Sequence, residues 1–141
     1  MEAFAEPPWG EFRAFYEEEY ASAVRLAYLL TGSRSECEDI AQDAFARIHH
    51  RYDLLDNPAA YLRTTIVNAA RTRHRARGRA ARRAHLLVVP ANHVIEPAAL
   101  EVLDVLDGLP WRYKAVLVLR YWGDASEAEI AEACSDAVSA R

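Results

Sequence analysis

Apolar residues recur at helical spacing through most of the chain, and this periodicity restricts the fold more than any other feature. In the clearest segment the apolar positions follow i, i+3, i+4, i+7, i+8 and i+11. They are Cys37, Ile40, Ala41, Ala44, Phe45 and Ile48. Ser33 and Glu36 form a capping pair in front of this segment. Since no segment alternates convincingly as a strand does, the sequence predicts an all-α protein.

Turn and capping residues divide the first half of the chain into three helical segments. The first helix is predicted over Glu11–Leu30, and Gly32 ends it because glycine adopts the left-handed cap conformation without strain. Asn57 as the N-cap and Pro58 at the first helical position begin the third helix, after a polar loop over Arg51–Asp56. The predicted inward face of the third helix carries Leu62, Ile66 and Ala69.

A second helical unit is predicted after Pro97. Its first helix ends at Gly108, its second begins at Pro110, and a capping box of Ser126 and Glu129 starts a short third helix. The apolar stripes are Ala99, Val102, Leu103 and Leu106, then Trp111, Ala115, Val118, Leu119 and Trp122.

The stretch between the two helical units reads as a linker. Residues 85–97 have no helical period and contain two prolines, which favours an extended conformation. The predicted organisation is therefore two small helical domains, residues 1–84 and 98–141, joined by this extended segment.

Charge is distributed unevenly along the chain. Residues 1–47 carry 4 basic and 10 acidic side chains, residues 48–85 carry 9 and 2, and residues 86–141 carry 4 and 9. Seven arginines and no acid lie between Arg71 and Arg83. A basic centre between acidic flanks is typical of a polyanion-binding surface. A solvated segment produced by codon bias is the alternative; it explains arginine over lysine but not the clustering.

The third helix also carries a polar stripe that is predicted to face outward. An aromatic ring can stack on an unpaired base, an amide can read a base edge, and guanidiniums hold phosphates. The stripe consists of Tyr61, Thr64, Asn68, Arg71 and Arg75. Tyr61 alone could equally be an ordinary core aromatic.

Several classes of protein are disfavoured by what the sequence lacks. No apolar run approaches the ~20 residues of a membrane span, and the acidic N-terminus lacks the features of a secretion signal. Cys37 and Cys134 match no zinc spacing and are interpreted as apolar packing residues in a reducing compartment. No catalytic set, phosphate loop or metal motif occurs, so we expect a cytoplasmic protein that is not an enzyme, with no cofactor and no metal site.

Three blocks of the sequence, in order, resemble those of bacterial sigma factors of the extracytoplasmic-function type. They are EDIAQDAF at 38–45, NPAAYLRTTIVNAAR at 57–71 and LDGLPWRYKAVLVLRYWGDASEAEIAEA at 106–133. The resemblance implies two helical domains, called regions 2 and 4. It also implies two partners, promoter DNA and core RNA polymerase, and the polymerase would be contacted at its β′ clamp and also at its β flap. An anti-sigma factor is a possible further partner of such a protein.

The resemblance also implies roles for individual residues. The acidic face of the second helix would dock on the β′ clamp, although such a face is usually only exposed to solvent. This face consists of Glu38, Asp39, Gln42 and Asp43. The −10 promoter element would be bound by the third helix and the loop before it: Arg51, Tyr52, Asn57, Tyr61, Thr64, Asn68, Arg71 and Arg75.

The final block departs from the family pattern. After Ala133 the sequence lacks the Leu-Gly turn that leads into a recognition helix, and only seven residues follow from Ser135. We therefore expect an incomplete helix-turn-helix and weak reading of the −35 element. Two alternatives stay open: a truncated or regulatory sigma-like protein that binds polymerase or an anti-sigma factor without initiating, and a simple DNA-binding transcriptional regulator.

Overall fold

The computed structural model describes residues 10–81 and 97–139, with side chains described for 10–76 and 101–134. Its elements are α1 (Gly10–Thr31), α2 (Arg34–His49), a 3-10 turn (Tyr52–Leu54), α3 (Pro58–Ala81), α4 (Pro97–Asp107), α5 (Trp111–Tyr121) and α6 (Glu127–Ser139). These described ranges contain no strand, in agreement with the predicted all-α class. The predicted linker lies outside the described residues, except that Pro97 begins α4.

Helices α1, α2 and α3 pack against one another as a three-helix bundle. All six residues of the predicted α2 stripe are buried, which confirms the periodicity argument. Phe45 lies at the centre, with its ring centroid 5.8 Å from that of Phe15 and 4.8 Å from that of Tyr16. The opposite side of α2 is exposed, so the helix separates an aromatic core from an acidic surface.

The predicted helix ends of this bundle are present. Gly32 follows α1 with a φ of +66°, the left-handed conformation that glycine tolerates best. The Ser33 hydroxyl accepts a hydrogen bond from the Glu36 backbone N–H, and the Ser33 N–H donates to the Thr31 hydroxyl. Asn57 Oδ1 accepts from the Ala60 N–H at 3.1 Å, as an N-cap does.

The second unit consists of α4, α5 and α6. The predicted capping box is complete, because Ser126 Oγ accepts from the Glu129 N–H while Glu129 Oε1 accepts from the Ser126 N–H, both at 3.2 Å. Lys114 is buried among the apolar residues of α5, and its ammonium donates to Asp107 Oδ1 at 3.2 Å.

The two helical units are packed against each other. Helix α6 contacts α3 as well as α5, and α5 contacts both α1 and α3. The α3 helix is therefore enclosed by four other helices over part of its length. None of the described helices has the length and apolar character needed to cross a membrane.

One prediction about an individual element was incomplete and another was wrong. On α3, Leu62 and Ile66 are buried and Ala69 packs partly buried against the core, while Val67 and Ala70 are buried as well, because several helices enclose α3. Helix α6 does not end near Ala133 but continues to Ser139. Its last six residues, CSDAVS, contain no glycine or proline to end a helix.

Candidate protein and nucleic-acid interfaces

The acidic face of α2 is open to solvent. Glu38, Asp39, Gln42 and Asp43 are all exposed. Gln42 Nε2 donates to the hydroxyl of Tyr16 at 3.1 Å and to that of Tyr20 at 3.4 Å, so the face continues onto two tyrosines of α1. The helix thus presents three carboxylates and an anchored amide on one surface.

The loop before α3 has an anchor and a projecting tip. The Tyr52 ring packs against Phe12 and Phe15, with centroid distances of 5.8 and 5.5 Å. Leu54 is 82% exposed at the tip of the loop. Arg51 Nη1 donates to the Tyr61 hydroxyl at 3.4 Å, which links the loop to α3. The partly buried Tyr52 ring packs against the aromatic core and fixes the loop, and its contact with DNA stays a prediction.

Three predicted residues on the first turns of α3 border a cavity of about 430 Å³ between α3 and α6. Asn57, whose side chain caps the helix, lines the cavity together with Tyr61 and Thr64. The opposite wall includes Glu129 and Glu132 of α6. The structure therefore brings the three predicted residues together on one wall of a cavity whose other wall carries two carboxylates.

Further along α3, the prediction of an outward stripe fails at Arg71. Its relative exposure is 7%, and its Nη2 donates to Asn68 Oδ1 at 2.7 Å. The Cys134 thiol of α6 lies nearby: burial raises its pKa, and the Arg71 charge acts in the opposite direction. Arg71 is enclosed because α6 covers this part of α3. Arg75, one turn later, is exposed as predicted.

Sequence reasoning missed Arg63. Its Nη2 donates to Glu129 Oε2, in an ion pair whose side chains are 17% and 28% exposed. A second contact between α3 and the second unit was also not predicted: the centroid of the His74 ring lies 5.1 Å from that of the Trp111 ring of α5. Arg63 stands between Tyr61 and Thr64 in the chain, but nothing in the sequence indicates that its partner is Glu129.

An apolar groove lies on the other side of the second unit. It has a volume of about 420 Å³ between α4 and α5. Val105 and Tyr121, which border it, are 68% and 71% exposed. Large apolar side chains exposed together on a small unit indicate a contact surface for another protein.

Comparison with protein families identifies both units. The family model for Sigma-70 region 2 matches residues 15–80, and the model for Sigma-70 region 4 matches residues 99–139. The chain belongs to the sigma-70 family. A region 2 followed by a region 4 is the signature of the extracytoplasmic-function type, and it confirms the resemblance drawn from the sequence. Curated proteins give no match to the chain.

Membership of this family identifies each of the two helical units with a region of a sigma factor. Region 2 coincides with α1–α3, and region 4 with α4–α6. Sigma factors act in promoter recognition and transcription initiation, as regulators of transcription rather than as enzymes. Within residues 10–81 and 97–139, no group of three or more His, Cys, Asp or Glu side chains is arranged to hold a metal ion.

Proposed function

We propose that this sigma factor binds core RNA polymerase through the acidic face of α2 and directs it to promoters through α3 and the loop before it. The observation that carries the proposal is the separation of charge within region 2. One helix presents Glu38, Asp39 and Asp43 to solvent, while another contributes exposed Arg75 and leads into the arginine-rich segment.

This separation matches two partners of different chemistry. Carboxylates on a surface repel DNA phosphates, so an exposed acidic face suits a basic protein surface. Arginines attract phosphates with an affinity that falls as salt concentration rises. The β′ clamp is the protein partner that we propose for α2, and promoter DNA the partner for the basic end of α3.

The loop before α3 suits contact with unpaired bases. Leu54 projects from a turn that the packed Tyr52 ring holds in position. Arg51 and Tyr61 are hydrogen-bonded beside it and offer a guanidinium and an aromatic ring. Apolar, aromatic and cationic side chains in one place are the groups that bind single-stranded nucleic acid, so we assign the −10 element to this loop and α3.

The apolar groove of region 4 suits a second contact with polymerase. An amphipathic helix binds such a groove through apolar anchors, and Val105 and Tyr121 border a cleft of about 420 Å³. We propose the β flap as its occupant in the polymerase complex and an anti-sigma factor as the competing occupant. The protein would then act in the cytoplasm, together with the polymerase.

The docking assignment is tested by reversing charge on α2. The variant Asp39→Arg/Asp43→Arg should bind core polymerase at least about tenfold more weakly, with unchanged helicity by circular dichroism. The matched control is Glu11→Arg/Glu18→Arg, which makes the same change in net charge at exposed positions of α1. On an ideal helix these two residues project away from Tyr16 and Tyr20, which adjoin Gln42.

Equal loss of polymerase binding in both variants would reject the α2 face as the docking surface. Run-off transcription with core polymerase on a randomised promoter library separates an initiating sigma factor from a sigma-like protein that binds without initiating. A simple DNA-binding regulator would bind no core polymerase at all.

A further inference from the structure

The apolar groove of region 4 belongs to a wider exposed surface on α4 and α5. Within the described residues, six large apolar side chains are exposed, and only Leu54 of these lies in region 2. The other five are Val105, Tyr113, Val116, Leu117 and Tyr121. We call these five residues, together with the groove, the α4–α5 face. Exposed apolar surface concentrated in this way indicates an interface with another protein.

We infer that the α4–α5 face joins two copies of the free chain in a symmetric dimer, in which α4 of one copy packs against α5 of the other. The inference goes beyond the proposed function and does not depend on it. The β flap and the anti-sigma factor are occupants that we proposed for the groove, and a second copy of the chain is an occupant in the absence of both.

The two edges of the α4–α5 face carry opposite charge. On the α4 edge, Glu101 borders the groove and Asp104 is its neighbour on the helix, and both are exposed. On α5, Leu117 and Tyr121 border the groove, and Arg120 is exposed. On an ideal helix Arg120 and Tyr121 project on opposite sides of Leu117. Arg120 therefore lies on the edge of α5 that faces away from α4.

The charges at the two edges are not neutralised within one chain. Among residues 10–76 and 101–134, neither Glu101 nor Arg120 forms an ion pair. Arg112, the other exposed base of α5, is engaged by Tyr113: its Nη2 donates to the hydroxyl at 3.1 Å, and its guanidinium lies 4.8 Å from the ring centroid. Glu101 and Arg120 are therefore the charges that a partner can pair.

A face with an apolar centre, an acidic edge and a basic edge is complementary to itself. In a two-fold dimer both copies use the same patch, so each contact between two residues occurs twice. With the axis along the groove, each α4 lies opposite α5 of the other copy, and acid meets base. With the axis across the groove, acid meets acid. Charge therefore selects the first arrangement.

The positions of Glu101 and Arg120 along the groove suit this arrangement. Residues 108–110 alone separate α4 from α5, and Glu101 near the start of α4 borders the same groove as Tyr121 at the end of α5. Both charges therefore lie towards one end of the groove. Rotation about an axis along the groove keeps each residue at its own end, so Glu101 of each copy meets Arg120 of the other.

The extent of the apolar surface favours a second copy over a single helix. A helix bound in the groove would cover Leu117 and Tyr121, which border it. Tyr113 and Val116 are exposed outside the groove on the same helix. A second pair of helices laid over α4 and α5 covers these residues as well, and tyrosine, with an apolar ring and a polar end, is a common residue of such interfaces.

The test is the mass of the full chain by sedimentation equilibrium, without polymerase. The wild-type mass should rise with concentration from 15.9 kDa toward twice that value. Glu101→Arg and Arg120→Glu should each raise the dissociation constant of the dimer at least about tenfold, because each brings like charges together. An equimolar mixture of the two variants should dimerise as the wild type does, since one copy then presents two acids and the other two bases.

Matched controls make the same changes elsewhere on the chain. Glu127→Arg on α6 and Arg25→Glu on α1 reverse charge at exposed positions, and each variant, as well as their mixture, should dimerise like the wild type. At the apolar centre, Val105→Glu should weaken the dimer, because the carboxylate would be buried. Leu54→Glu, the same kind of change at the exposed apolar residue of region 2, should not. Recovery of the dimer in the mixture shows that both charge variants are folded.

The inference is overturned if the wild-type chain keeps the mass of one copy at every concentration, as a groove reserved for the β flap or an anti-sigma factor would give. It is equally overturned if the mixture of Glu101→Arg and Arg120→Glu stays as monomeric as each variant alone, or if neither variant weakens the dimer. Run-off transcription with core polymerase tests the proposed function separately. A chain that initiates transcription but never dimerises keeps its function as a sigma factor and loses the dimer.

Discussion

Two arginines one turn apart on α3 have different environments. Arg71 is buried and Arg75 is exposed, although four residues on a helix rotate the side chain by only about 40°. A buried guanidinium is costly unless it is hydrogen-bonded, and the 2.7 Å bond to Asn68 Oδ1 offsets part of that cost. Asn68 therefore has a structural role in the free chain, in addition to any contact with DNA.

This difference predicts how salt affects DNA binding by the free chain. Arg75→Ala should shallow the slope of log K against log salt by ~0.7–0.9, the value for one lost phosphate contact. Arg71→Ala should leave the slope of the free chain unchanged and shallow it only in the polymerase complex. The measurement is anisotropy over a range of salt, with Arg25→Ala on exposed α1 as the control. A shallower slope for Arg71→Ala in the free chain would mean that this arginine already binds phosphate there.

At the scale of elements, α6 depends on its cap and on its neighbours. A helix of 13 residues is marginal in isolation, so capping and packing decide whether it forms. The reciprocal bonds between Ser126 and Glu129 satisfy two N–H groups at its start, and the other Glu129 oxygen binds Arg63. The residue that caps the helix therefore also fixes it to region 2.

We predict that Ser126→Ala lowers the free energy of unfolding by about 1 kcal/mol, because the Glu129 N–H loses its acceptor. Chemical denaturation followed by circular dichroism measures the change. Ser22→Ala, at an exposed position inside α1, is the control; it should be neutral or slightly stabilising, since alanine is the better helix former. Equal stability of the two variants would show that the capping bonds contribute little in solution.

For the whole molecule, region 2 and region 4 share buried surface. Helix α3 packs against α1 and α2 on one side and against α5 and α6 on the other. The buried residues of both regions accordingly join in one apolar cluster that includes Phe45, Ile66, Val118 and Leu119. Units that share a core in this way unfold together, whereas units joined only by a linker unfold separately.

This predicts a single unfolding transition for the free chain. In a Trp9→Phe background, Trp111 and Trp122 of region 4 are the remaining tryptophans, so their fluorescence follows region 4 alone. Fluorescence and far-ultraviolet circular dichroism should give coincident thermal transitions. Glu129→Arg should lower the fluorescence transition below the dichroism transition, while Glu127→Arg keeps them together. Separate fluorescence and dichroism transitions in the Trp9→Phe chain with Glu129 unchanged would contradict the shared core.

Much of the fold follows from the sequence because it depends on near neighbours in the chain. The spacing of apolar residues defines the buried stripe of α2 and, by exclusion, its acidic face. Helix ends depend on local chemistry, so Gly32, Asn57 and the Ser126–Glu129 pair could be identified in advance. The family followed from blocks of sequence for the same reason.

The tertiary structure alone decided how the second unit meets the first. Periodicity identifies a polar face of α3, but it does not tell whether water, DNA or another helix covers that face. Arg63 and Glu129 are 66 positions apart, and each by itself is an ordinary charged residue of a helix. Their pairing depends on the packing of α6 against α3, which brings an acid and a base together at a distance along the chain that no local pattern encodes. The same packing of α6 against α3 buries Arg71, whose position in the sequence predicted an exposed ligand-binding residue.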